Sequence, residues 1–315
     1  MKLRDILFTG LRLLALWVVY LVVFVVTASL GTPRDLSSQM GAEQVNAARM
    51  ALPIVAFLNT CLVAYLVRRS RWSGWQLMLT LFFVFYGVYT FLQQIETLAF
   101  PTVANRMPPG LLASLFVTGA LFIAILSPLA VLILGKWKKG SDSDQPNERL
   151  IMPARKWTWK LVAIVGLYEI VYFTFGYYVA WRTPGLPEFY GGTDPGTFFG
   201  QMANVMRDTP WLPVLQVVRA LLWTLIALPV VRMLKGSAWE TSLALGLLFS
   251  VMVAGQLLFP NPFMPEFVAR AHQIELASSN FIFGILLTGV LLWRPARKPV
   301  PKSSATPTAP RPARH

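Results

Sequence analysis

Eight long, almost unbroken apolar stretches alternate along the chain with short segments rich in basic residues, proline and glycine. A helix needs about 20 mostly apolar residues, each rising 1.5 Å, to cross a hydrocarbon core of about 30 Å. Stretches at roughly 11–30, 50–67, 75–98, 110–135, 158–181, 211–234, 238–259 and 274–293 meet that length. They predict an all-α integral membrane protein, an eight-transmembrane helix bundle. The segment 136–157 divides the spans four and four, which admits a parallel 4+4 internal repeat. Short matches point the same way. Ser73-Gly74-Trp75 precedes the third span as Ser237-Ala238-Trp239 precedes the seventh, and these two spans end in Phe100-Pro101 and Phe259-Pro260. The first and fifth spans both run out into Thr-Pro, at Thr32-Pro33 and Thr183-Pro184.

Composition agrees with this pattern. Charged residues make up 13% of the 315 positions, against about 25% in soluble domains. The net charge of +14 would suit a nucleic-acid partner if the basic residues formed a patch with aromatic interleaving, and they do not. With the N-terminus inside, 21 of the 28 Lys and Arg fall in inside segments, six outside, and Arg219 within a span. That bias orients a membrane protein with both termini cytoplasmic, and with the short loops it fits a bacterial cytoplasmic membrane. Tryptophans such as Trp17, Trp72, Trp157, Trp181, Trp211 and Trp293 fall near the expected interfaces, as an aromatic belt would. The start also resembles a signal peptide, with Val26-Thr27-Ala28 after a basic beginning. The apolar run from Leu14 to Leu30 exceeds a usual signal core, so a retained first helix is expected. The tail 294–315, rich in Pro, Ser and basic residues, is expected to lie unpacked near anionic headgroups.

Ionisable residues inside these stretches are the chemical signal, because a charge at the bilayer centre costs at least about 2.5–3.5 kcal/mol. Glu96, Arg219, His272 and Glu275 fall at one depth, in the outer half, and Glu169 near the middle. Steps of three and four place Tyr86, Tyr89, Gln93 and Glu96 on one face of the third span. Tyr172 stands at i+3 from Glu169. Gln216 and Arg219 are also three apart, and Arg219 needs a carboxylate partner, a route outward or an anionic ligand; Glu169, Glu96 and Glu275 are the available acids. His272, Glu275 and Ser279 share a face of the eighth span, with Asn280 on an adjoining one, and Gln256 stands near the outer end of the seventh. Gly119, Gly246, Ser250, Gly284 and Gly289 suit close helix packing, Asn59 a contact between helices, and Pro53, Pro128 and Pro229 kinks or helix ends.

No nucleophile elbow, zincin, Walker or dinucleotide fingerprint occurs, and Cys61 is the only cysteine. One histidine outside the tail leaves too few ligands for zinc, so neither metal nor cofactor is expected. The loop 182–210 is rich in glycine and proline and carries the aromatics Phe189, Tyr190, Phe198 and Phe199. It is either a lid over the outer mouth or a passive cap.

Three function classes fit these residues. The first is binding or transport of a small polar or amphiphilic solute in a cavity between spans three, five, six, seven and eight. Glu96 and Glu169 would then attract a cation or carry protons, and Arg219 would hold an anionic group. The second is an intramembrane acid–base enzyme acting on a lipid-like substrate from the outer face, with His272 as acid or base and Glu275 orienting it. The third is an assembly scaffold. Polar residues in the inner half are few (Ser127, Thr241, Ser242 and Thr288), which weighs against a full passage.

Overall fold

The computed structural model describes residues 3–31, 41–138 and 147–293. Thr32-Pro33, residues 139–146 of the segment between the halves and the basic tail from 294 lie outside the described residues. Eight helices are long and apolar enough to cross a membrane. We label them α1 (Leu3–Gly31), α2 (Ala42–Arg69), α3 (Gly74–Ala99), α4 (Leu111–Ile133), α5 (Ala154–Trp181), α6 (Trp211–Met233), α7 (Ala238–Leu258) and α8 (Glu266–Leu292). No β-strand occurs among the described residues beyond one isolated bridge. The fold is thus an all-α, eight-helix membrane bundle.

Several helices outrun the expected apolar cores. α2 begins at Ala42 rather than near 50, and α8 at Glu266 rather than near 274. A helix closes its own backbone hydrogen bonds, so nothing obliges it to stop where the apolar run stops. Pro53, Pro128 and Pro229 all fall inside helices rather than at their ends. α1 is integral to the packing, with Leu16 and Tyr20 buried. Ser114 Oγ of α4 donates to Gly31 O at 2.8 Å, and Asn59 Nδ2 of α2 to Tyr20 Oη at 2.9 Å.

Helix neighbours repeat every four helices. α1 packs on α2 and α4, and α3 on α4; equally, α5 packs on α6 and α8, and α7 on α8. The halves meet where α3 touches α6 and α2 touches α7. At one end an antiparallel bridge joins Ser70 to Leu234. Its two bonds are reciprocal, Arg71 N to Met233 O at 2.7 Å and Lys235 N to Arg69 O at 2.9 Å. The Ser-Gly-Trp and Ser-Ala-Trp segments each begin three residues later, opening α3 and α7. Both helices end on an extended phenylalanine before proline, because the proline ring disfavours helical geometry in the preceding residue.

Small residues set the closest crossing. A Cβ on Gly284 of α8 would sit 2.7 Å from the Gly246 backbone of α7, and Ser250 Oγ donates to Ala277 O at 2.7 Å. Gly119 faces Thr90 at similar closeness. Gly289 does not share this role, since a Cβ there would meet nothing within 4 Å.

Two helices contain a π-turn. α3 contains a π-turn at Gly87–Phe91, and α5 ends in one at Gly176–Trp181. The extra residue in α3 rotates the remainder of that helix by about 100° relative to a regular one. The expected four-residue stripe on α3 is therefore split. Tyr89 turns into the core, where its carbonyl accepts from Gln256 Nε2 at 2.9 Å, while Gln93 and Glu96 face elsewhere.

Candidate functional site

Gln93 and Glu96 face a cavity of about 520 Å³ at the end of the bundle that carries the 182–210 loop. α3, α5, α6, α7 and α8 wall it, as the depths of the polar residues lead one to expect. The loop closes it from above. Leu186 opens a one-turn helix, Leu186–Phe189, entered through Gly185 at φ +83°, a conformation that favours glycine. Leu186 is fully buried against Ala180, Val268 and Ala271. That anchor points Tyr190 inward, and Gln201, Met202 and Val205 of the next helix, Phe198–Asp208, also line the space. The loop is a built wall of the cavity.

Two polar clusters meet there. In the first, Arg219 Nη1 donates to Glu96 Oε1 at 2.7 Å and to Gln216 Oε1 at 3.0 Å. The Arg219 side chain is 3% exposed and that of Glu96 is 20% exposed. Of the three acids available to Arg219, the structure selects Glu96. Tyr172 Oη lies 3.4 Å from the same Glu96 oxygen, a long contact. Gln216 and Arg219 sit behind the wall, so the cavity meets this pair through Glu96 alone.

The second cluster is a relay across the loop. His272 Nδ1 lies 2.8 Å from Glu275 Oε2, and His272 Nε2 lies 2.8 Å from Tyr190 Oη. An ionised carboxylate only accepts, so Nδ1–H donates to Glu275; Nε2 accepts from the Tyr190 hydroxyl when the ring is neutral and donates to its oxygen when the ring is protonated. Burial, together with the carboxylates of Glu96 and Glu275, pushes the Tyr190 phenol above its usual value. It therefore keeps its proton. Gly176, on the α5 π-turn, lies beside Glu275: a Cβ there would be 4.0 Å from Oε1, an ordinary contact.

Of the residues singled out in the sequence, Gln93, Glu96, Tyr172, Gln256, His272 and Glu275 line the cavity, with Gln216 and Arg219 in support. Glu169 and Asn280 stand apart. Glu169 lies about one turn beyond Tyr172, and its buried Oε1 makes no hydrogen bond to the described residues. Asn280 is buried outside the cavity wall. Tyr190 is the participant that span-by-span reading passes over. Its signal was the aromatic content of a loop otherwise made largely of Gly, Pro and polar residues.

Beyond the cavity the bundle closes. Trp223 and Phe249 rings lie 4.4 Å apart and those of Tyr168 and Phe283 4.7 Å, and all four side chains are buried. Thr241, Ser242 and Thr288, farther along, each donate to their own helix backbone.

Fold and site together define a multi-pass helical membrane protein with a polar pocket at one end. No family model, no curated protein and no solved structure matches this chain.

Proposed function

We propose that this protein binds a small polar or amphiphilic ligand in the cavity between α3, α5, α6, α7, α8 and the 182–210 loop. The observation that carries this reading is the meeting of Glu96, His272, Glu275, Gln93 and Gln256 on one mainly apolar wall. Ligand sites have this composition, an apolar surround with a few convergent polar groups that fix orientation. The packed ring cluster behind it supports binding from one end rather than passage through the bundle.

A second reading, acid–base chemistry, draws on the Tyr190–His272–Glu275 relay. Both imidazole nitrogens are already bonded, so Tyr190 Oη rather than the ring would meet a substrate. If His272→Ala left turnover of a cavity ligand intact, the enzyme reading would fail.

The binding reading is tested by native mass spectrometry of the full chain purified in mild detergent, against Leu276→Trp, which fills the cavity. A small molecule released from the wild type and missing from the folded variant is the expected result. The same released species from both, or none from either, refutes it.

A further inference from the structure

The cavity wall is unusual in the sign of its charges. It holds two carboxylates, Glu96 and Glu275, and neither lysine nor arginine. The one buried cation nearby, Arg219, is engaged by Glu96 and Gln216 behind the wall, so it offers no free charge to a ligand. That removes the anion-holding role its sequence position suggested. The Arg219–Glu96 pair cancels, and the wall's other carboxylate, Glu275, has Oε2 bonded to His272 Nδ1.

The rest of the wall is rich in aromatic rings. Phe100 stands edge-on to Tyr190 at 6.0 Å and to Trp211 at 5.8 Å, and Trp181 stacks beside Tyr190 at 6.3 Å. Tyr172 and Tyr177 continue the surface on α5. Aromatic faces carry partial negative charge and attract cations, by up to about 2 kcal/mol or more where water is displaced. The basic residues near the mouth are occupied in the same way. Arg106 stacks on Phe189 at 4.5 Å, and Arg182 lies over Tyr177 while pairing with Asp194 at 3.0 Å. Neither lines the cavity.

We infer that the cavity takes a cationic ligand, an ammonium or quaternary ammonium head with an apolar body, held by the Phe100–Tyr190–Trp181–Trp211 rings and the Glu275 carboxylate. The inference rests on the binding reading above and adds the ligand's chemical class. The rings supply affinity without drawing a proton from the ligand, so a permanently charged head, which donates no hydrogen bond, fits as well as a primary amine. Glu275 lies on the wall beside Gly176, and the apolar remainder of the wall accepts the body.

The test is isothermal titration of the full-length protein in a maltoside detergent, free of choline lipids, with three probes of one shape: choline, its neutral carbon isostere 3,3-dimethylbutan-1-ol, and an alkyl sulfate of similar length. Choline is expected to bind at least tenfold more tightly than either other probe. Trp181→Leu and Glu275→Gln are each expected to weaken choline several-fold, and by more than they weaken the neutral isostere. Equal or tighter binding of the isostere or the sulfate overturns the cationic class and leaves the binding reading standing. Failure of all three probes also overturns it; the mass-spectrometric comparison with Leu276→Trp then decides separately whether the cavity binds anything.

Discussion

Glu96→Gln removes the one full negative charge that meets Arg219, and the geometry indicates the cost. The guanidinium is 3% exposed and its Nη1 would keep only the Gln216 amide oxygen, 3.0 Å away, and the new amide. Breaking a buried pair from one side costs about 3–5 kcal/mol, because the surviving charge stays buried without compensation. Arg219→Met should cost less. The stranded Glu96 is a fifth exposed and faces the cavity, where water can solvate it. Its loss is of the order of one charge-assisted hydrogen bond, about 1.5–3 kcal/mol. The double variant strands no charge, so its loss should fall short of the sum of the singles by about 2 kcal/mol or more. The assay is reversible unfolding in mixed micelles, monitored by far-ultraviolet circular dichroism for wild type, both singles and the double. If the two losses add to within about 0.5 kcal/mol, the residues are not coupled and the Arg219–Glu96 pairing is wrong.

Other perturbations separate neighbouring roles. Gly284→Ala should cost about 1–3 kcal/mol through overpacking against Gly246, whereas Gly289→Ala, on the same helix with nothing within 4 Å, should be close to neutral; equal effects would refute the crossing. Glu169→Leu removes a buried carboxyl oxygen without a partner, so thermal unfolding should show stability kept or raised. A clear loss would reveal a contact that the geometry does not contain. The phenol of Tyr190 is shifted upward, so the contribution of its burial is fully present below the ordinary tyrosine value near 10 and is lost as pH rises above it. Wild type should therefore lose stability above pH ~10 more steeply than Tyr190→Phe, and identical slopes in thermal scans would count against the buried hydroxyl.

The sequence by itself determined the height of each group. Apolar runs of sufficient length can only be satisfied by helices in lipid, so the eight spans and the common depth of Glu96, Arg219, His272 and Glu275 came from one dimension of information. The period-four order of the halves was faintly visible too, in Ser-Gly-Trp against Ser-Ala-Trp and in two Phe-Pro ends. Azimuth was not visible. The π-turn at Gly87–Phe91 rotates the part of α3 beyond it; regular three- and four-residue steps therefore kept Tyr89 with Gln93 and Glu96, where the structure parts them. Partner choice is likewise tertiary. Three carboxylates were candidates for Arg219, and only the packing of α3 against α6 brings Glu96 to 2.7 Å while leaving the buried Oε1 of Glu169 without a hydrogen bond to the described residues. Tyr190 reaches His272 only because Leu186 anchors a loop 82 residues away in sequence. A chain encodes how far along its axis each group lies; which way that group faces is settled when helices pack, because the contacts that fix rotation come from residues distant in sequence.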